Sequence, residues 1–121
     1  VYGFAGICGD FNPVHVDETA AARTPFGRRI CHGMLSASFI STVLGMYLPG
    51  PGSIYLEQNV KFVAPVYIGD TVTACATVSR VEGDIVTLDT AVYNQDQKAV
   101  ITGSARVLVR KDPEYRAGSG K

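Results

Sequence analysis

The chain has no tryptophan, only two histidines and only three cysteines in 121 residues. Cys8, Cys31 and Cys75 lie far apart, are odd in number and form no CxxC pair. A disulfide scaffold needs a denser, even set, so these read as buried free thiols in a reducing compartment, the cytoplasm. With only His15 and His32 to join them, a zinc site is poorly supplied, and no metal is expected. Excess charge is missing too. Eleven Lys and Arg balance eleven Asp and Glu, so the formal net charge is zero. Phosphate binding draws on a basic excess, so no nucleic-acid partner is expected.

Long apolar runs are also missing. The longest, Met34 to Leu48, contains Ser36, Ser38, Ser41, Thr42 and Gly45. It falls short of the about 20 residues of a membrane span and reads as a buried helix, so no membrane partner is expected. No basic segment followed by an apolar stretch and a small-residue cleavage site opens the chain. The chain starts on Val1, which reads as a processed or partial N-terminus. Gly50-Pro51-Gly52 lacks the lysine and the helix of a phosphate loop, and no GxSxG occurs.

What is present is enough apolar material for one core: 46% hydrophobic against 18% charged residues. The length allows a single domain. The first half reads helical. Asp17 is placed to cap a short helix from Glu18, ended by Pro25 and Gly27. A longer helix over about 33–47 has apolar residues almost all round, so it should have no solvent face. Pro49-Gly50-Pro51-Gly52 stops it. From Ser53 the period becomes two, predicting strands over 53–63, 70–82, 85–93 and 98–109. Gly83-Asp84 and 94–97 fit hairpin turns. The result is a buried helix followed by an antiparallel meander, an α+β fold. The tail 111–121 is polar, without periodicity, and reads as frayed.

Two segments carry chemistry. In Gly9-Asp10-Phe11-Asn12-Pro13-Val14-His15, a rigid turn separates an acid from a histidine. A loop this short can aim both at one point, as a proton-transfer pair. The same residues also suit a turn in which Asp10 caps a helix and pairs with His15. In Ile30-Cys31-His32-Gly33-Met34, the helix starts beside a glycine. Its free N–H groups could stabilise a carbonyl oxygen gaining charge. Equally, Gly33 could simply allow helix and sheet to pack closely.

The sequence resembles the MaoC-like family of (R)-specific enoyl-CoA hydratases. The resemblance rests on Asp10-Phe11-Asn12-Pro13-Val14-His15 and His32-Gly33-Met34. It also rests on the stretches from Leu48 to Tyr55 and from Phe62 to Asp70. It implies a hot-dog fold over 1–110, with the antiparallel sheet wrapped around a long central helix. It implies a further first strand upstream of Val1. Asp10 and His15 would then be catalytic, holding and activating a water, and the Gly33 N–H would bind the thioester oxygen. Asn12, Ser41 and Tyr55 would contact substrate. The implied reaction is syn hydration of trans-2-enoyl-CoA to (R)-3-hydroxyacyl-CoA, by a homodimer, with no cofactor beyond the CoA of the substrate. The implied setting is fatty-acid metabolism or supply of (R)-3-hydroxyacyl units for polyhydroxyalkanoate. Two rivals are a hot-dog acyl-CoA thioesterase and a non-catalytic acyl-CoA-binding module. A thioesterase would carry its carboxylate on the central helix, and Met34 to Leu48 has none.

Overall fold

The computed structural model describes residues 1–109, so the 111–121 tail lies outside the described residues. Four helices precede four strands: α1 (Tyr2–Cys8), α2 (Pro13–Val16), α3 (Glu18–Ala22), α4 (Gly33–Met46), β1 (Ser53–Phe62), β2 (Thr73–Glu82), β3 (Ile85–Tyr93) and β4 (Ala99–Val109). The short helices are set by their caps. Asp17 accepts the Ala20 N–H at 3.2 Å, as its position before Glu18 predicts. Asn12 accepts the Val14 N–H at 3.1 Å, and Pro13 opens α2. The segment read as a loop up to His15 therefore contains a helical turn, and His15 sits within it.

The sheet is antiparallel, but its order is β1-β4-β3-β2. Only β2, β3 and β4 form the expected meander. β1 lies beyond β4, pairing Ser53 with Val109 through to Phe62 with Ile101. No tight turn joins β1 to β2. Instead, Val63 to Val72 runs back past the start of α4, where Ile30 bridges Tyr67 and the Cys31 N–H reaches the Val66 carbonyl at 2.7 Å. At the β1–β4 crossing, Gly103 is required: a Cβ there would run into the Asn59 carbonyl oxygen.

The long helix packs on β1, β2 and β3. Its Ile40 and Leu44 meet Leu88, Val92, Val100, Ile101, Ala105 and Val107 in the core. The expectation of a helix without a solvent face is corrected: Met34, Phe39 and Met46 are exposed. The sheet covers one side of α4, and no described element covers the other. The cysteine expectation is also corrected. All three thiols are free, but Cys8 and Cys75 are exposed and Cys31 is only partly covered. Cys75 belongs to the polar alternation of β2, opposite Ala74 and Ala76, so it faces outward.

The segment after β1 is pinned by Asp70. Its carboxylate accepts the Tyr67 N–H at 2.9 Å and the Gln95 side-chain amide at 3.0 Å. The bond from the Tyr67 N–H, then that from Gln95, holds its pKa below the ordinary aspartate value. Such a group contributes stability that is full above the pKa of free aspartate and is lost as pH falls through its lower folded value. The stability margin of the wild type over Asp70→Asn should be widest near neutrality and close in acid. Urea melts from about pH 7 to about pH 3 check this. A constant margin would mean that the carboxylate charge contributes nothing.

Candidate active site

A cavity of about 720 Å³ opens between α1, the start of α4 and the segment after β1. Its wall is largely apolar, with Phe4, Phe26, Phe62, Val66 and Ile101 among the lining residues. Asp10, His15, His32, Gly33 and Ser36 line it as well. The two sequence segments thus meet, although more than twenty residues separate Asp10 from Gly33.

Each group is held in place from behind. The Asp10 Oδ1 accepts the Asn12 N–H at 3.1 Å, which leaves Oδ2 to face His15. His15 is buried, and its Nδ1 lies 2.8 Å from the Ile30 carbonyl oxygen. A carbonyl can only accept, so Nδ1 carries the hydrogen, and in the neutral ring Nε2 presents a lone pair. That Nε2 is 4.0 Å from Asp10 Oδ2. A water at about 2.8 Å from both atoms fits this separation and donates one hydrogen to each.

His32 ties the two segments together. It is 2% exposed, and its Nε2–H donates to the Asp10 carbonyl at 2.8 Å. Its ring stacks on His15 with centroids 4.0 Å apart and planes 28° apart. The Phe4 ring packs on it at 5.0 Å. Asp10, His15 and His32 bring one ligand atom each within 4.8 Å, close enough to consider a metal. However, lone pairs lie in the ring planes, and stacked rings do not aim them at one point. His32 Nε2 is moreover already committed to the Asp10 carbonyl, which leaves its buried Nδ1 without a partner among the described residues. This geometry suits a hydrogen-bonded cluster.

Gly33 is the first residue of α4, with His32 as its N-cap. The Leu35 and Ser36 N–H groups bond back to the His32 carbonyl. Among the described residues the Gly33 N–H has no partner, and it stands at the positive end of a helix of 14 residues. The Phe62 ring lies where a side chain would be, 2.6 Å from an added Cβ. The close-packing reading of this glycine is thereby met, and Gly33 also lines the cavity. Beside it, burial pushes the Cys31 thiol pKa up, so the thiol stays protonated.

The remaining expected residues lie elsewhere. Asn12 is spent on the α2 cap and does not line this cavity. Ser41 and Tyr55 line a second cavity of about 530 Å³ between α4 and β1, which shares Phe4 and Met34 with the first. Partial burial raises the Tyr55 pKa, and its hydroxyl donates to Gln58.

Comparison with known proteins decides the family. A model of the MaoC like domain matches residues 1–100. The chain belongs to the MaoC-like family. An (R)-specific enoyl-CoA hydratase of Rhodospirillum rubrum is 54% identical over 111 residues, covering 90% of this chain and 76% of that protein. One of Aeromonas caviae is 48% identical over 109 residues, covering 88% and 81%. The solved structure of the A. caviae (R)-hydratase, described as involved in PHA biosynthesis, superposes with a TM-score of 0.88 at 46% identity. It covers 91% of this chain and 85% of that one. The hot-dog fold of this MaoC-like chain is thereby established, with α4 as its central helix.

His32 proves to be a structural histidine: it is buried, stands at the N-cap of α4, binds the Asp10 carbonyl and stacks on His15. One residue that lines the cavity escaped sequence reasoning. Ser36 was hidden among several hydroxyls of α4. Helical phase would have found it, because Ser36 shares the buried i, i+4, i+8 stripe with Ile40 and Leu44, whereas Ser41 is exposed.

Proposed function

We propose that this chain is an (R)-specific enoyl-CoA hydratase, a hydro-lyase that adds water syn across the double bond of trans-2-enoyl-CoA. The observation that carries this reading is the convergence of Asp10 Oδ2 and His15 Nε2 on one point of an apolar cavity that also holds the Gly33 N–H. The names and identity of the relatives support it. The thioesterase reading finds no Asp or Glu on α4.

Hydration needs a water deprotonated as it attacks C3, a donor for the thioester oxygen, and a proton for C2. Asp10 and His15 accept the two hydrogens of one water. When either takes a proton, a hydroxide-like oxygen attacks C3. The proton taken then returns to C2 from the same side. The Gly33 N–H stabilises the charge that reaches the thioester oxygen. No metal or redox group is drawn on, and CoA arrives as part of the substrate. The three free thiols suit the reducing cytoplasm as the setting.

Asp10 and His15 leave one short segment, so they flank one face of the alkene, and Gly33 keeps the thioester from turning over. A single enantiomer follows from this, and the relatives name it as (R). The test couples crotonyl-CoA hydration separately to (R)- and (S)-specific 3-hydroxyacyl-CoA dehydrogenases. Signal is expected from the (R) partner alone. Signal from the (S) partner alone would overturn the assignment, and signal from both would mean that the alkene is not held as argued.

The working form is a homodimer. β1 is an edge strand with Ile54, Tyr55, Leu56 and Phe62 exposed, and Met34 and Phe39 of α4 stand open beside it. Such an edge and such apolar surface favour a second copy. Sedimentation at micromolar concentration should show a dimer or a larger even-numbered assembly. Fully active monomer would contradict this.

A further inference from the structure

One polar group in the cavity has no task in the mechanism above. Ser36 is 2% exposed and lines the same cavity as Asp10, His15 and Gly33. Its backbone N–H bonds to the His32 carbonyl, while its hydroxyl is not among the sealed, unpartnered atoms of the described residues, of which His32 Nδ1 is the one found. Serines inside helices usually return the hydroxyl to a carbonyl of the preceding turn. Ser38 does so, donating to the Leu35 carbonyl at 2.5 Å. Ser36, far more buried than Ser38, does not. A hydroxyl that lines a reactive cavity, rather than one sealed in the core, calls for a task there.

Its position supplies one. Ser36 lies three residues after Gly33, on the same face of α4. Helical side chains tilt toward the N-terminus, so this hydroxyl lies against the turn that carries the Gly33 N–H. We infer that Ser36 is a second hydrogen-bond donor to the thioester oxygen, beside the Gly33 N–H. The inference rests on the hydratase reading given above. In the ground state the hydroxyl meets a neutral carbonyl. As C3 is attacked, that oxygen takes on negative charge and the bond strengthens. A donor of this kind acts on turnover more than on binding. No proton is transferred by Ser36, and nothing is consumed.

The experiment compares the wild type with Ser36→Ala. Loss of a hydrogen bond to a charged oxygen should lower kcat for crotonyl-CoA about 10- to 100-fold. The second readout is inhibition by S-butyl-CoA, a thioether with the same chain and no carbonyl. Its affinity should be unchanged, because Ser36 has nothing to bind in it. An unchanged kcat in Ser36→Ala would overturn the inference and leave the hydratase reading standing. A fall in kcat matched by an equal loss of S-butyl-CoA affinity would also overturn it, since this would mark a packing role. A wild type that does not hydrate crotonyl-CoA would overturn the hydratase reading itself, and the inference with it.

Discussion

Asp10→Asn and His15→Gln should each lower hydratase turnover at least ~100-fold while the far-UV CD spectrum stays native, as expected for loss of a positioned acid or base. The geometry makes this specific. Asp10→Asn keeps an oxygen for the Asn12 N–H, so the turn that carries residue 10 survives. What it loses is a charged acceptor facing His15 Nε2 at 4.0 Å. His15→Gln removes that Nε2 and, with it, the second acceptor for the attacking water. Both groups act on one water molecule. The double variant should therefore fall little below the worse single variant, the non-additivity expected of residues working as a unit. Near-normal turnover in either single variant, with a native spectrum, would sink the assignment of the pair.

Why the pair was legible in the sequence, and other parts were not, follows from the range of the interactions involved. Asp10, Asn12, Pro13 and His15 lie within six consecutive residues, and turn chemistry at that range is local. The four strands were likewise visible, because period-two alternation belongs to each strand separately. Their order was not. The placement of β1 beside β4 depends on how residues 63–72 cross the start of α4, held by the Ile30–Tyr67 bridge and the Cys31–Val66 bond. Neither contact leaves a trace in composition or period. The same holds for His32. Its role depends on a stack with His15 across a gap of 17 positions, which only the folded chain creates. The helix expected to be buried all round shows the converse error. Sequence reported its apolar residues correctly but could not say that the described sheet covers only one side of them.

The role of the Gly33 N–H is open to a test that separates it from the packing role of the same glycine. Proline at the first position of a helix is tolerated, because the N–H it lacks is not bonded within the helix. His32 already has φ −57° and ψ 133°, an extended conformation that suits a residue before proline. The obstacle is Phe62, whose ring atoms lie 2.6–3.2 Å from an added Cβ. Phe62→Ala removes those atoms. In that background Gly33→Ala adds a Cβ and keeps the N–H, whereas Gly33→Pro adds a ring and abolishes the N–H. If Gly33 served only packing, the alanine and proline forms would turn over at similar rates once Phe62 is cleared. As the donor to the thioester oxygen it should set them apart. Gly33→Pro/Phe62→Ala should fall about 100- to 1,000-fold in kcat below Gly33→Ala/Phe62→Ala, the usual loss for one oxyanion donor. Thermal melts of the two double variants should stay close, because the helix keeps its cap geometry and every bond it makes. Similar kcat values with matched melts would remove Gly33 from the catalytic machinery and leave it as a packing residue.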